Sequence, residues 1–324
     1  MGQLIDGVWN EEDIISEIKA DGAYQKKAAI FRNSITADGS SGFKAEPGRY
    51  HLYSSTGCPW AHRTELFRAL KELTEIIELH ETAQNPAGGG WGFEGKRHKV
   101  PGTATEVTQL HEIYSLADPT YSGRVSVPTL WDAKEKTIVN NESSEIIRMF
   151  NSAFSDFAPE TADLCPPDLI DKIDEMNQLI LDGVNDAVNG CGRSKSQEAY
   201  DISFEILFET FDKLEKILAS RRYLCGNQLT ESDLRLYPTF LRFDSIYYLG
   251  YKCNKRRLED YPNLSAYLRD IYQTPGIAEV SNIELMKKRI YLPGGPIASN
   301  GIVPNGPELG LERPHGREKL SAVA

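Results

Sequence analysis

Cys58 is followed directly by Pro59, and the pair stands between two segments of different period. Before it, Arg49-Tyr50-His51-Leu52-Tyr53-Ser54 alternates and is rich in aromatic residues, which reads as a strand. After it, Trp60 to Leu73 places Leu66, Phe67, Leu70 and Leu73 at helical spacing. Proline is favoured in the first helical turn, where its missing N–H costs nothing. Ile76 to Leu79 reads as a second short strand. The segment is therefore a βαβ unit whose helix opens at a cysteine, and few folds place a thiol there.

The rest of the first half extends this unit. Residues 82 to 124 form a long connection punctuated by glycine and proline and containing Gly88-Gly89-Gly90-Trp91; loops of that length inside a domain are uncommon and often functional. Val127 to Trp131 and Thr137 to Val139 read as strands joined by the turn Ala133 to Lys136, and Asn141 to Glu145 leads into a helix through Phe150. The order βαβ then ββα is that of a thioredoxin-like α/β domain. Residues 1 to about 47 read as an extended arm leading into it. From about residue 168 the pattern is helical, with Leu169 to Val188 and Phe204 to Leu218 carrying apolar residues three and four apart. Leu229-Thr230-Glu231-Ser232-Asp233-Leu234 resembles a capping box with a hydrophobic staple, Asp233 taking the place usual for Glu or Gln. The tail after Tyr291 reads as irregular. A chain of 324 residues suits two domains, placed here at 1–160 (arm and thioredoxin-like domain) and 161–324 (all-α domain with its tail).

Charge and cysteine usage narrow the function. A net charge of −11 and a pI near 5.2 argue against a nucleic-acid partner bound through a basic face. No apolar run approaches the ~20 residues of a membrane span, and the start of the chain lacks the basic and apolar regions of a signal peptide. Met1-Gly2 lacks the Ser or Thr of a myristoylation start, since Asp6 holds that place. The five cysteines, 58, 165, 191, 225 and 253, show no CxxC and no Cys/His grouping with zinc spacing. Free thiols in a reducing, cytoplasmic compartment are expected, with no metal.

Cys58 is the candidate nucleophile. Amide groups and the positive end of the helix dipole point at a sulfur in that position, and cysteines so placed ionise well below the free value of roughly 8.5. His62 and Arg63 lie in the same first turns and add positive potential. A free cysteine is more often a small core residue, but Cys-Pro opening a helix is the more specific arrangement. Three positions on stands Ala61 rather than a second cysteine, so the motif has no local resolving thiol. That pattern points to a monothiol cycle in which a small thiol cofactor releases the mixed disulfide. Val127-Pro128 before a strand is the second marker: in thioredoxin-like domains this proline is cis and faces the cysteine. Glu142-Ser143 reads either as a helix cap or as a seat for a carboxylate.

Together these residues resemble the Xi class of glutathione transferases, the glutathionyl-hydroquinone reductases. The resemblance runs through Gly2-Gln3-Leu4-Ile5-Asp6-Gly7-Val8-Trp9, Cys58-Pro59-Trp60-Ala61-His62-Arg63-Thr64, Tyr121 to Val125 and Asn141-Glu142-Ser143. In the second half it takes in Arg242-Phe243-Asp244, Lys252-Cys253-Asn254, Asp260 to Leu264, Tyr272 to Gly276 and Gly301 to Pro304. It implies the glutathione-transferase fold and reduction of glutathionyl-hydroquinones with glutathione as co-substrate. Cys58 would take the glutathionyl group and a second glutathione would release it. By match of motifs, Trp91, Arg124, Val127, Glu142 and Ser143 would hold glutathione, and Tyr291 would stabilise charge on the quinol. A further tyrosine of the family falls at Asn189 in this chain, and Tyr200, eleven residues on, either compensates or packs its helix. The resemblance also implies a homodimer. The alternatives are an Omega-like thiol transferase or dehydroascorbate reductase using the same cysteine, and a non-catalytic interaction module. Conjugation of glutathione to electrophiles is disfavoured, because a reactive cysteine would trap the glutathione as a mixed disulfide. Cys191 has no functional reading, and Cys165, Cys225 and Cys253 read as structural or linker residues.

Overall fold

In the computed structural model, which describes residues 2–12, 17–297 and 300–322, the strand before Cys58 is buried on both faces. This strand, β1 (Tyr50–Ser54), runs parallel to β2 (Glu78–Glu81) and antiparallel to β3 (Thr129–Asp132), which pairs in turn with β4 (Thr137–Asn140). The sheet order is β4-β3-β1-β2, so β1 is central and β2 is an edge. Helix α1 (Pro59–Leu70) packs on α3 (Ser143–Ser152). The second strand lies two residues beyond its expected start at Ile76. The apolar pair Ile76–Ile77 instead closes the turn after α1, both amides donating to the Leu73 carbonyl, and both side chains are buried there.

The connection 82–124 holds a helix that its glycines and prolines conceal. Helix α2 (Leu110–Ala117) starts at a capping box in which the Glu112 carboxylate accepts the Gln109 amide at 2.8 Å. Leu110, Ile113 and Tyr114 then fall on one face. They enter a core cluster with Tyr53, Trp131 and Ile138 of the sheet and with Phe93, Val100 and Val107 of the connection itself. The connection thus supplies part of the core, and each large side chain so buried stabilises the fold by roughly 1.5–3 kcal/mol.

The arm is likewise more than a lead-in. Gln3–Ile5 pairs antiparallel with Val8–Asn10 and with Gly123–Arg124, setting Gln3 opposite Arg124. Met1 and 13–16 of the arm, and 298–299 and 323–324 of the tail, lie outside the described residues.

Two units emerge. One holds the described residues within Met1–Ser16, Ala28–Ala162 and Glu284–Ile302; the other holds Glu17–Lys27, Asp163–Ile283 and the described residues of Val303–Ala324. Two segments therefore cross the expected 160/161 division. Glu17–Lys27 joins the helical unit, where Arg193 donates to Glu17 at 2.8 Å and Ser196 to the Asp21 carbonyl at 2.8 Å. Glu284–Ile302, which includes Tyr291, joins the thioredoxin-like unit. In the helical unit, Ile170–Ile180 continues through a π-helical stretch, Leu181–Asp186, into Ala187–Arg193. Gln197–Leu218 begins seven residues before the expected Phe204, because Ser196 caps it by accepting the Ala199 amide at 3.2 Å. The Thr230–Asp233 capping box is present and opens Glu231–Arg242. Among the described residues no helix is long and apolar enough to cross a membrane.

Candidate active site

Cys58 is the N-cap of α1, in extended backbone conformation, with Pro59 in the first turn. Its amide donates to the Ser55 carbonyl at 2.9 Å, and its carbonyl accepts the His62 amide at 3.0 Å. The residue therefore sits in a closed turn at the positive end of a twelve-residue helix. The Val127–Pro128 peptide is cis, and the thiol lies 3.6 Å from the Val127 carbonyl oxygen, to which it donates. Cys58 is half-buried. His62 and Arg63 are buried, the Arg63 guanidinium lying 4.4 Å from the centre of the Trp60 ring.

Two of the residues expected to hold glutathione, Trp91 and Val127, meet Cys58 through packing, and a third, Arg124, lies on a strand beside the N-terminal arm. Trp91 and Cys58 both pack against the cluster that contains Val127. Trp91 pairs with Gln84 on a two-residue strand, and the three glycines before it have φ of +101°, +83° and +73°, a region that favours glycine. A Cβ on Gly90 would stand 2.8 Å from the Trp9 ring. Trp9 donates its Nε1–H to Glu11 at 2.8 Å, and Glu11 also accepts the Gly89 amide. These bonds, Trp9's first, hold the Glu11 carboxyl below its usual range. The N-terminal arm thus supports the loop that carries Trp91. Arg124 lies on the strand paired with Gln3, and its carbonyl accepts the Tyr121 hydroxyl at 2.8 Å.

Glu142 caps α3, its Oε1 accepting the Ser144 amide at 3.2 Å and the Ser144 hydroxyl at 3.0 Å, with Ser143 buried beside it. The residue that joins this end to the cis-proline segment is Tyr114 of α2. Its hydroxyl donates to the Ser126 carbonyl at 2.9 Å, accepts from Asn141 Nδ2 at 3.2 Å and stands 2.8 Å from the Thr129 hydroxyl. Sequence reasoning missed Tyr114 because it missed the helix; the Gln109/Glu112 capping box was the available signal.

A second missed group supports the turn before the thiol. Glu81 accepts the Thr56 amide at 2.9 Å, and burial first of all raises its carboxyl pKa. Arg289 reaches Glu81 at 4.0 Å and Glu94 at 2.7 Å. Its Cβ would lie 2.8 Å from a Cβ on Gly57, so only glycine fits next to Cys58. Tyr291, two residues on at the end of the helix Ile283–Tyr291, is buried, and burial raises its phenol pKa.

The remaining two expected residues lie in the helical unit. Asn189 turns its Nδ2 back to the Asn185 carbonyl at 2.8 Å, one helical turn earlier. Tyr200 donates its hydroxyl to the Lys252 carbonyl at 2.8 Å, and its ring lies 5.5 Å from that of Phe204. Cys191 is buried and hydrogen-bonded to the fully buried Cys253.

Comparison with known proteins gives the family. The model for the glutathione S-transferase N-terminal domain matches residues 57–153, and that for the C-terminal domain matches residues 197–270. Fold and site together define a glutathione transferase, with a thioredoxin-like N-terminal and a helical C-terminal domain. The glutathionyl-hydroquinone reductase YqjG of Escherichia coli is 47% identical over 326 residues, covering 98% of this chain and 99% of that protein. Its glutathione-bound structure superposes with a TM-score of 0.85 over 98% of this chain and 99% of that one, at 45% identity. A Xi-class enzyme from Natrialba magadii gives 0.88 at 38% identity, over 99% and 98% of the two chains. The chain belongs to the Xi class of glutathione transferases, the glutathionyl-hydroquinone reductase family.

Proposed function

We propose that the protein reduces glutathionyl-hydroquinones to hydroquinones at the expense of glutathione. The observation that carries this reading is the Cys58 thiol at the N-cap of α1, 3.6 Å from the carbonyl before a cis proline, with alanine at position 61. The Cys58 thiolate attacks the sulfur of the aryl thioether. The S–C bond breaks, its electron pair and a proton go to the ring carbon, and a Cys58–glutathione disulfide forms. A second glutathione thiolate attacks the glutathionyl sulfur of that disulfide, giving glutathione disulfide and regenerating the Cys58 thiolate. The aryl group is reduced by two electrons, supplied by two glutathione sulfurs.

Val127 offers backbone hydrogen bonds to glutathione, Trp91 packs against it, and Arg124 pairs with a carboxylate. Glu142 and Ser143, at the start of α3, take the γ-glutamyl end. Tyr291 donates a hydrogen bond to a quinol oxygen as charge develops there; its burial favours the protonated phenol that this needs. The enzyme works as a homodimer in the cytoplasm, a reading supported by the family resemblance and by the free thiols.

One observation favours a second reading, an Omega-like thiol transferase: at the place of a family tyrosine, Asn189 spends its amide on its own helix. The experiment is turnover of a glutathionyl-hydroquinone with glutathione by wild type and Cys58→Ser, following hydroquinone and glutathione disulfide. Equimolar products from wild type and none from the serine variant are expected. Reduction of a mixed disulfide without release of hydroquinone would replace this proposal with the second reading.

A further inference from the structure

Away from the residues used above, β1 and β2 bring two imidazoles, a phenol and a carboxylate to one face of the sheet. Their parallel register sets His51 beside Glu78 and Tyr53 beside His80, and strand period two turns all four side chains to the same side. His51 Nδ1 lies 3.1 Å from His80 Nε2 and 3.4 Å from Glu78 Oε2. One donor atom from each of the three residues falls within 4.8 Å of the others. His98 packs edge-on against His80, ring centres 4.8 Å apart, and its Nε2 pairs with the Tyr53 hydroxyl at 2.9 Å. These histidines and Glu78 line an open cavity of about 580 Å³.

Metal–ligand bonds of about 2.0–2.1 Å in tetrahedral geometry place neighbouring donor atoms about 3.3 Å apart. The two separations at His51 Nδ1, 3.1 and 3.4 Å, bracket that value. We propose that His51, His80 and Glu78 bind a divalent first-row transition ion, with a fourth position open to solvent in the cavity. Two imidazoles and one carboxylate suit zinc, cobalt or nickel, whereas calcium and magnesium take oxygen ligands. The histidine side chains are 10% and 13% exposed, and that of Glu78 is 67% exposed, so the carboxylate is free to swing onto an ion held by fixed imidazoles. The ion would tie the edge strand β2 to the central strand that leads to Cys58. The spacing of ligands along the chain gave no sign of it, because strand pairing rather than a local motif assembles them.

The test uses the full chain carrying Cys58→Ser, so that the reactive thiol takes no metal. Zinc ion is titrated by calorimetry, and cobalt ion is followed by its visible spectrum. One ion per chain is expected, with tetrahedral cobalt bands and no thiolate charge-transfer band. Added His80→Gln or Glu78→Gln should weaken zinc binding at least roughly 10- to 100-fold, the range that loss of a ligand's supporting partner already produces. Added His111→Gln, in a histidine stacked on Trp9, should leave it unchanged. Absence of stoichiometric binding, equal affinity in the Glu78→Gln variant, or a cobalt–thiolate band would overturn the proposal. Should His80→Gln fail to fold, the exposed Glu78 decides alone.

Discussion

In the thioredoxin-like unit, buried and half-buried polar groups converge on the turns that carry the site. Tyr114 joins the cis-proline segment to the start of α3, and Glu81 holds the amide of Thr56 two residues before Cys58. In the helical unit, comparable groups converge on helix ends. Asp233, fully buried, accepts the Thr230 amide and hydroxyl at 2.8 Å each, the Leu224 amide at 2.9 Å and the Tyr267 hydroxyl at 2.8 Å. Glu215 accepts the first amides of Pro262–Tyr272, from Asn263 and Leu264. Arg317 returns from the tail to donate to the carbonyls of Leu218 and Arg222 at 3.1 and 2.8 Å. The same kind of bond does different work. In one unit it holds the turn that carries Cys58; in the other it closes orphaned helix termini, which cost free energy when buried without partners.

This contrast predicts that function and stability separate by unit. Cys58→Ser should lower turnover at least about 10³-fold and shift the melting temperature little, since the half-buried thiol makes a weak bond; a large loss of stability would break the contrast. Asp233→Ala should do the opposite. Removing four hydrogen bonds from a buried carboxylate site costs about 3 kcal/mol or more, while kcat per folded molecule stays near wild type. Denaturant titration paired with activity reads both quantities.

Intermediate cases sharpen the comparison. Tyr114→Phe deletes the hydroxyl that links the cis-proline segment to the start of α3, so stability should fall by about 1–2 kcal/mol and, with both segments proposed to hold glutathione, KM for glutathione should rise several-fold. The rate of Cys58 alkylation should stay the same, because the α1 turn is untouched; slower alkylation would show that the two segments act on the thiol itself. The smallest effect concerns Glu145 on α3, whose carboxyl pKa is lowered first by the hydrogen bond from Arg32. A depressed carboxylate contributes stability that is complete above its unfolded value and lost as pH falls through its lower folded value. Glu145→Gln should flatten the acid limb of a melting-temperature profile by an amount under about 1 kcal/mol, since the pair is solvent-screened. An unchanged acid limb would show that the ion pair contributes nothing.

Much of this was legible along the chain because it is local. Cys58-Pro59 announces a helix with a thiol at its cap, and the capping box at Thr230 announces a helix start; both depend on residues within four positions of each other. The order of strands and helices followed from periodicity. The helix α2 was hidden because Gly88 to Gly90 and the prolines around it dominate the local reading, although Leu110, Ile113 and Tyr114 keep helical spacing. Arg289 could not be placed by any local rule, since Gly57, Glu81 and Glu94 lie far along the chain, and the same holds for the approach of Trp9 to Gly90.

What the sequence by itself determined is the chemistry available: one thiol at a helix start, no second thiol in its motif, and the alternation and spacing that build a thioredoxin-like unit beside a helical one. Only the tertiary structure decided what surrounds that thiol. Strand pairing set Gln3 against Arg124 and gathered His51, Glu78 and His80 on one face. Close packing put Arg289 against Gly57 and Trp9 against Gly90. The physical reason is range: propensity and capping act over a single turn, whereas burial and sheet register are properties of segments that meet only when the chain has folded.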